Sequence, residues 1–143
     1  MTQEEKQLLL VDLCARLPYH VRVKVWLKDG TTEEGFYDFE HNYEDVMKDF
    51  FFYNKLNDLK PYLRPMSSMT EEEIVEINSM GFAYWTTMIN NDLRTRGPMS
   101  LLDAIITHHK MVKLTDWLNA HHFDFRNLIE RGLAIDCTGL SVY

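Results

Sequence analysis

Four of the six histidines fall in two adjacent pairs, His108-His109 and His121-His122, and imidazoles gathered at short spacing are the ordinary ligands of zinc. Successive residues on a helix point about 100° apart, so His108 and His109 do not face one ion as an i, i+4 pair would. His121, His122 and Asp124 sit at a helix junction, where a turn can bring them together. A small metal-dependent enzyme built on these C-terminal histidines is therefore one reading. The commoner outcome for such histidines is a packed ring bonded to a carbonyl, and no metal or cofactor is expected. Ser67-Ser68 has no GxSxG context, Cys14 falls on an apolar helical stripe, and no glycine-rich loop precedes a helix. With no nucleophile, phosphate cradle or acid–base pair, the chain reads as non-enzymatic.

Charge carries more information. Asp29, Glu33, Glu34, Asp38, Glu40, Glu44 and Asp45 lie between positions 29 and 47 without one Lys or Arg, and these carboxylates account for the whole formal net charge of −7. Such a window is either a solvated face or a docking surface for a basic protein partner, for example the nucleic-acid groove of another protein, reached at electrostatically raised rates. The same charge opposes general binding to nucleic acid or anionic lipid, since counterion release needs aligned cations.

The elements that must position these groups follow from periodicity. At 143 residues, 45% hydrophobic and 13% aromatic, the chain can bury a core as one domain or two closely packed halves. Thr2 with Glu5 is a capping box, and Leu9, Leu10, Leu13, Cys14 and Leu17 recur at helical spacing up to Pro18, which predicts a helix over 3–16. Val21, Val23, Val25 and Leu27 then alternate with polar residues as a half-buried strand. Asp29-Gly30 follows, a dipeptide suited to positive φ at both central positions of a tight turn, and Thr31 to Phe39 is the returning strand. Gly35 points to a bend or bulge there. Asp49 to Tyr53 is a third strand candidate, and the prolines of Lys60 to Pro65 predict an irregular connector that extends to Met69. Trp26 on the polar side of its strand, together with Phe50, Phe51, Phe52 and Tyr53, puts aromatics on both sheet faces, with coverage by C-terminal helices expected.

The remainder reads as helical. Thr70 and Glu73 form a second capping box opening a helix over 71–80 on the stripe Ile74, Ile77 and Met80. Phe82 to Leu93 leans to helix, Arg96-Gly97-Pro98 breaks, Ser100 and Asp103 start the longest periodic run, and Asp124 caps a last short helix ending at Gly132. The fold class is α+β: residues 1–64 form a helix plus a small, bent antiparallel sheet, and residues 65–143 a helical region packed on it. Oligomeric state is not encoded in these patterns.

Cys14 and Cys137 give neither a disulfide framework nor a zinc knuckle, which places the chain in a reducing cytoplasm. An acidic N-terminal sequence, with no apolar run of roughly 18 residues, predicts neither export nor membrane insertion.

Three stretches carry specific wording: Leu13-Cys14-Ala15-Arg16-Leu17-Pro18-Tyr19, Lys60-Pro61-Tyr62-Leu63-Arg64-Pro65-Met66-Ser67-Ser68-Met69-Thr70-Glu71-Glu72-Glu73, and Asp116-Trp117-Leu118-Asn119-Ala120-His121-His122-Phe123-Asp124-Phe125-Arg126-Asn127-Leu128-Ile129-Glu130-Arg131-Gly132-Leu133. They resemble a family of small proteins of gut anaerobic bacteria and their phages and mobile elements. The resemblance implies a bacterial host cytoplasm and transfers no catalytic residue. Separately, Val21-x-Val23-x-Val25-x-Leu27-Lys28-Asp29-Gly30, then Gly35 and Phe39-Glu40-His41-Asn42, resembles the first motif of Sm-like proteins. That likeness implies a single-stranded RNA binder in which His41 and Asn42 hold a stacked base. The Arg-Gly pair of the second Sm motif does not follow.

Overall fold

A computed structural model describes residues 1–37, 58–82 and 101–143. The fold is α+β, with a four-stranded mixed sheet in the order β2-β1-β3-β4. The described residues form two compact units, one of residues 1–68 with 118–143 and one of residues 69–117.

In the first unit, helix α1 spans Gln3–Arg16, as the capping box and Pro18 require. Glu5 N–H donates to Thr2 Oγ1 at 3.2 Å, and Thr2 N–H donates to the Glu5 carboxylate at 2.7 Å. The buried stripe differs from the expected one. Leu9, Leu13 and Leu17 face the core, but Asp12 and Arg16 are buried beside them and Cys14 is exposed. A polar pair can lie on that stripe because it is internally paired: Arg16 Nε and Nη2 donate to Asp12 at 2.7 and 3.0 Å, and Nη2 also donates to the Phe123 carbonyl at 2.8 Å.

Strand β1 (Val21–Trp26) alternates as predicted: Val21, Val23 and Val25 turn inward, while Arg22, Lys24 and Trp26 turn out. It pairs antiparallel with β2 (Thr32–Tyr37) from Val21↔Tyr37 to Trp26↔Thr32. The turn is looser than expected. Only Gly30 has positive φ, at 85°; Gly30 N–H donates to Leu27 O at 3.0 Å and Leu27 N–H to Thr31 O at 2.9 Å. This is a three-residue loop whose glycine takes the left-handed position, so Asp29 need not. Gly35 makes no bulge, since the ladder runs through Val23↔Gly35 without a break.

The expected connector is instead partly strand. β3 (Leu59–Leu63) pairs antiparallel with β1 through Leu59, Lys60 and Pro61, and parallel with the short β4 (Ile135–Asp136) through Tyr62 and Leu63. A proline is tolerated because β4 begins beyond it, leaving Pro61 with one strand neighbour where a central residue would have two. Met66–Ser68 then forms a single 3-10 turn. The parallel β3–β4 pairing makes the sheet mixed, where an antiparallel sheet was expected. The core of Leu9, Leu13, Leu17, Val21, Val23, Val25, Leu59, Leu63, Leu128 and Leu133 fills the inner face. Each such side chain contributes about 1.5–3 kcal/mol relative to exposure.

Asp124 does cap, with its carboxylate accepting Leu128 N–H and Ile129 N–H, both at 2.8 Å. What it caps is a series of turns to Gly132, not a helix. Bonds that reach four and five residues forward replace the helical ladder.

In the second unit, α2 (Glu71–Ile77) starts at the Thr70–Glu73 capping box and passes into a wider π turn, Asn78–Phe82, so the regular helix stops short of residue 80. Ile74 and Val75 are exposed. Helix α3 spans Leu101–Ala120, and Leu114 and Trp117 on it are buried; Ser100, the expected start of this run, lies outside the described residues. The strand candidate Asp49 to Tyr53, the segment 83–93 and the break at Arg96-Gly97-Pro98 lie outside the described residues.

Candidate functional site

The hairpin β1–β2 positions the described part of the acidic window: Asp29, Glu33 and Glu34. Asp38, Glu40, Glu44, Asp45, His41 and Asn42 lie outside the described residues. Period-2 alternation divides what remains. Glu34 is cross-strand partner of Lys24 and shares the outer face with Arg22, Trp26 and Phe36, while Glu33 opposes Val25 and lies on the other face at the exposed edge.

Glu34 is engaged within the protein. Its carboxylate accepts from Arg22 Nη2 at 3.0 Å and from the Tyr62 hydroxyl at 2.7 Å, and Lys24 Nζ is 3.2 Å away. The Tyr62 hydrogen bond, then those of Lys24 and Arg22, hold its carboxyl below the usual glutamate range. Tyr62 is pushed up in turn, by burial first and by Glu34 second. Asp29 is also committed: Oδ1 accepts Thr31 Oγ1–H at 2.6 Å and Thr31 N–H at 2.9 Å. Those bonds, led by the hydroxyl, lower its carboxyl, and they close an Asx turn that fixes the loop. Glu33 is thus the described carboxylate presented outward without a structural duty shown in the hairpin.

The outer sheet face carries a feature that the acidic window obscures. Register places Lys60 opposite Lys24, and Tyr62 follows it on the same face. Lys24 Nζ and Lys60 Nζ lie 5.9 and 5.8 Å from the centroid of the Trp26 ring, while Arg22 stands 5.8 Å from the Phe36 ring and 5.7 Å from that of Tyr62. Trp26 is 38% and Phe36 44% exposed, so the expected coverage does not extend to these two rings. Sequence reading found Arg22, Lys24 and Trp26 as an alternation but missed Lys60 and Tyr62, because it took their segment for a connector.

The histidine pairs are placed in different surroundings: His122 is buried, whereas His108 and His109 are exposed on α3. Among the described residues, no three His, Cys, Asp or Glu groups come together in a way that could hold an ion. Asp124 spends both oxygens on backbone N–H groups, and His122 is buried and stacked on Tyr143 with centroids 3.6 Å apart. Burial, and then the charge of Arg16, push His122 down to about 3. Among the described residues no helix is long and apolar enough to cross a membrane. No protein-family model, curated protein or solved structure matches the chain.

Proposed function

We propose that this protein is a non-enzymatic interaction module that works through the edge of its β1–β2 hairpin and offers carboxylates to a basic protein partner. The observation that carries the proposal is the exposure of β2 from Thr32 to Phe36 at the end of the described sheet, with Glu33 pointing away from the cations that hold Glu34. Carboxylates on an exposed edge steer a cationic partner at long range and set its register on contact. Two free cysteines accord with a reducing cytoplasm as its place of work.

The decisive substitution is Glu33→Lys with Glu34 left intact, since reversing Glu34 would also break its bonds to Arg22, Lys24 and Tyr62. With an arginine-rich peptide as probe, association should slow several-fold and lose part of its salt dependence, while the melting temperature stays unchanged. Equal association rates for the wild type and Glu33→Lys across the salt series would refute the proposal.

A further inference from the structure

The opposite face of the same hairpin has the reverse character, and it supports a separate function. We infer that the outer sheet face around Trp26 and Phe36 is a binding platform for single-stranded nucleic acid, with bases stacked on the two rings and phosphates held by Lys24, Lys60 and Arg22.

The chain as a whole is acidic, but folding sorts its charge. Every second residue of β1 and β3 faces outward, which gathers Arg22, Lys24 and Lys60 on one surface with Glu34 as the one carboxylate the described strands place among them. Each exposed ring has a cation at its face or flank: Trp26 has Lys24 and Lys60, at 5.9 and 5.8 Å, and Phe36 has Arg22 at 5.8 Å. At one end the platform is bounded by Tyr143, whose ring meets Phe36 edge-on at 6.5 Å. Four strand positions separate the Trp26 row from the Phe36 row, a span of roughly 13 Å at ~3.3 Å per residue. An extended strand of about four nucleotides, the low end of known site sizes, covers it.

Rings interleaved with cations distinguish this ligand from an acidic peptide. The face of an aromatic ring carries negative quadrupolar potential and gives a carboxylate nothing, whereas every nucleobase offers a π face for stacking. Its residues are not the pair, His41 and Asn42, that the Sm-like pattern assigns to a stacked base. With three cations and one competing carboxylate, binding should be modest and weakly salt-dependent, with a log–log slope of about −2 for a single strand.

Glu34 supplies a test that a purely structural role would not pass. Its carboxylate competes with phosphate for Arg22 and Lys24, so Glu34→Gln should tighten binding several-fold. The measurement is fluorescence anisotropy of labelled dT12 and rU12 with the full chain, at low salt and across a NaCl series, with polyglutamate of matching length as the competing probe. Trp26→Leu and Phe36→Leu keep apolar bulk and lose the ring, and each should weaken binding about tenfold; Lys24→Gln should weaken it and flatten the salt slope. Thermal melts confirm that each variant is folded. Absence of saturable binding to either oligonucleotide would overturn the inference. So would binding indifferent to both ring substitutions, or polyglutamate bound as tightly as the oligonucleotides.

Discussion

The imidazole of His122 lies flat against the ring of Tyr143, with centroids 3.6 Å apart and planes 7° from parallel. The stack ties three distant stretches together. The Tyr143 hydroxyl donates to the Tyr62 carbonyl at 2.7 Å and accepts from Arg22 N–H at 3.3 Å. The His122 carbonyl accepts Arg64 N–H at 2.9 Å, and Asp124 N–H returns a bond to the Arg64 carbonyl at 2.7 Å. His122 holds left-handed backbone, φ 58°, to make this junction, a conformation that costs a non-glycine residue about 1–2 kcal/mol. The packing of its ring and the bonds around it offset that cost.

This geometry makes stability depend on pH. His122 titrates near its ordinary value of about 6.5 when unfolded but is pushed down to about 3 in the fold, by burial first and by Arg16 next. Between those values the unfolded chain takes up the proton and the folded chain does not, so stability is lost as pH falls below ~6.5, at up to about 1.4 kcal/mol per unit. The depressed carboxyls of Glu5, Asp29, Glu34 and Asp136 contribute stability that is lost only further down, as they protonate. Urea unfolding at about pH 7, 6 and 5 isolates the histidine. The midpoint should fall across this range in the wild type and stay nearly level in His122→Gln, and equal slopes in both would assign the loss to other groups.

How much of this was legible depends on how local the cause is. The capping boxes at Thr2–Glu5 and Thr70–Glu73 each involve residues three apart, and both helices start where those pairs require. The alternation from Val21 to Trp26 likewise needs no distant information. By contrast, Pro61 fits a strand only because β4 starts opposite Tyr62, and β4 comes from residues 135–136, far along the chain. The cationic face was hidden for the same reason, since Lys24 and Lys60 become neighbours only through the β1–β3 register. Asp12 and Arg16 were passed over in favour of Cys14 because hydrophobicity alone ranks a helix face, and an internally paired ion pair defeats that ranking.

The glycines of the hairpin should separate cleanly. Gly30 sits at φ 85°, while Gly35 lies in unbroken ladder with open space where a Cβ would go. Gly30→Ala should destabilise by about 1 kcal/mol or more because of its left-handed backbone. Gly35→Ala should be neutral or stabilise by up to about 1 kcal/mol, since it restricts the unfolded chain without strain in the fold. Thermal melts of the two variants should therefore move apart by a few degrees, and equal losses would show that Gly35 has a role beyond the ladder.

The two thiols should behave differently toward a thiol reagent. Cys14 is exposed on α1, whereas Cys137 is buried beside Tyr62 and Val142; desolvation raises both thiols, so access is what separates them. One equivalent should react in the folded protein and the second only in denaturant, with Cys14→Ser abolishing the first phase. Two fast equivalents under native conditions would contradict the burial of Cys137.

The Asp12–Arg16 pair offers the sharpest energetic test, because both side chains are wholly buried, at 0% exposure. Removing one partner leaves the other's charge without its main compensation, which costs about 3–5 kcal/mol, whereas exchanging both for apolar groups of similar size is often close to neutral. The singles should differ. After Arg16→Met, Asp12 retains Arg126, whose Nε is 3.3 Å from Oδ1. After Asp12→Leu, Arg16 keeps only the Phe123 carbonyl and the flank of the Phe125 ring, 5.7 Å away. Asp12→Leu should therefore be the more damaging, and the double variant less destabilised than the sum of the two, with a coupling of about 1–3 kcal/mol. Urea titrations of the four proteins give the cycle directly. Losses that add to within about 0.5 kcal/mol would mean that the ion pair contributes packing volume alone, and that its charges are compensated elsewhere in the fold.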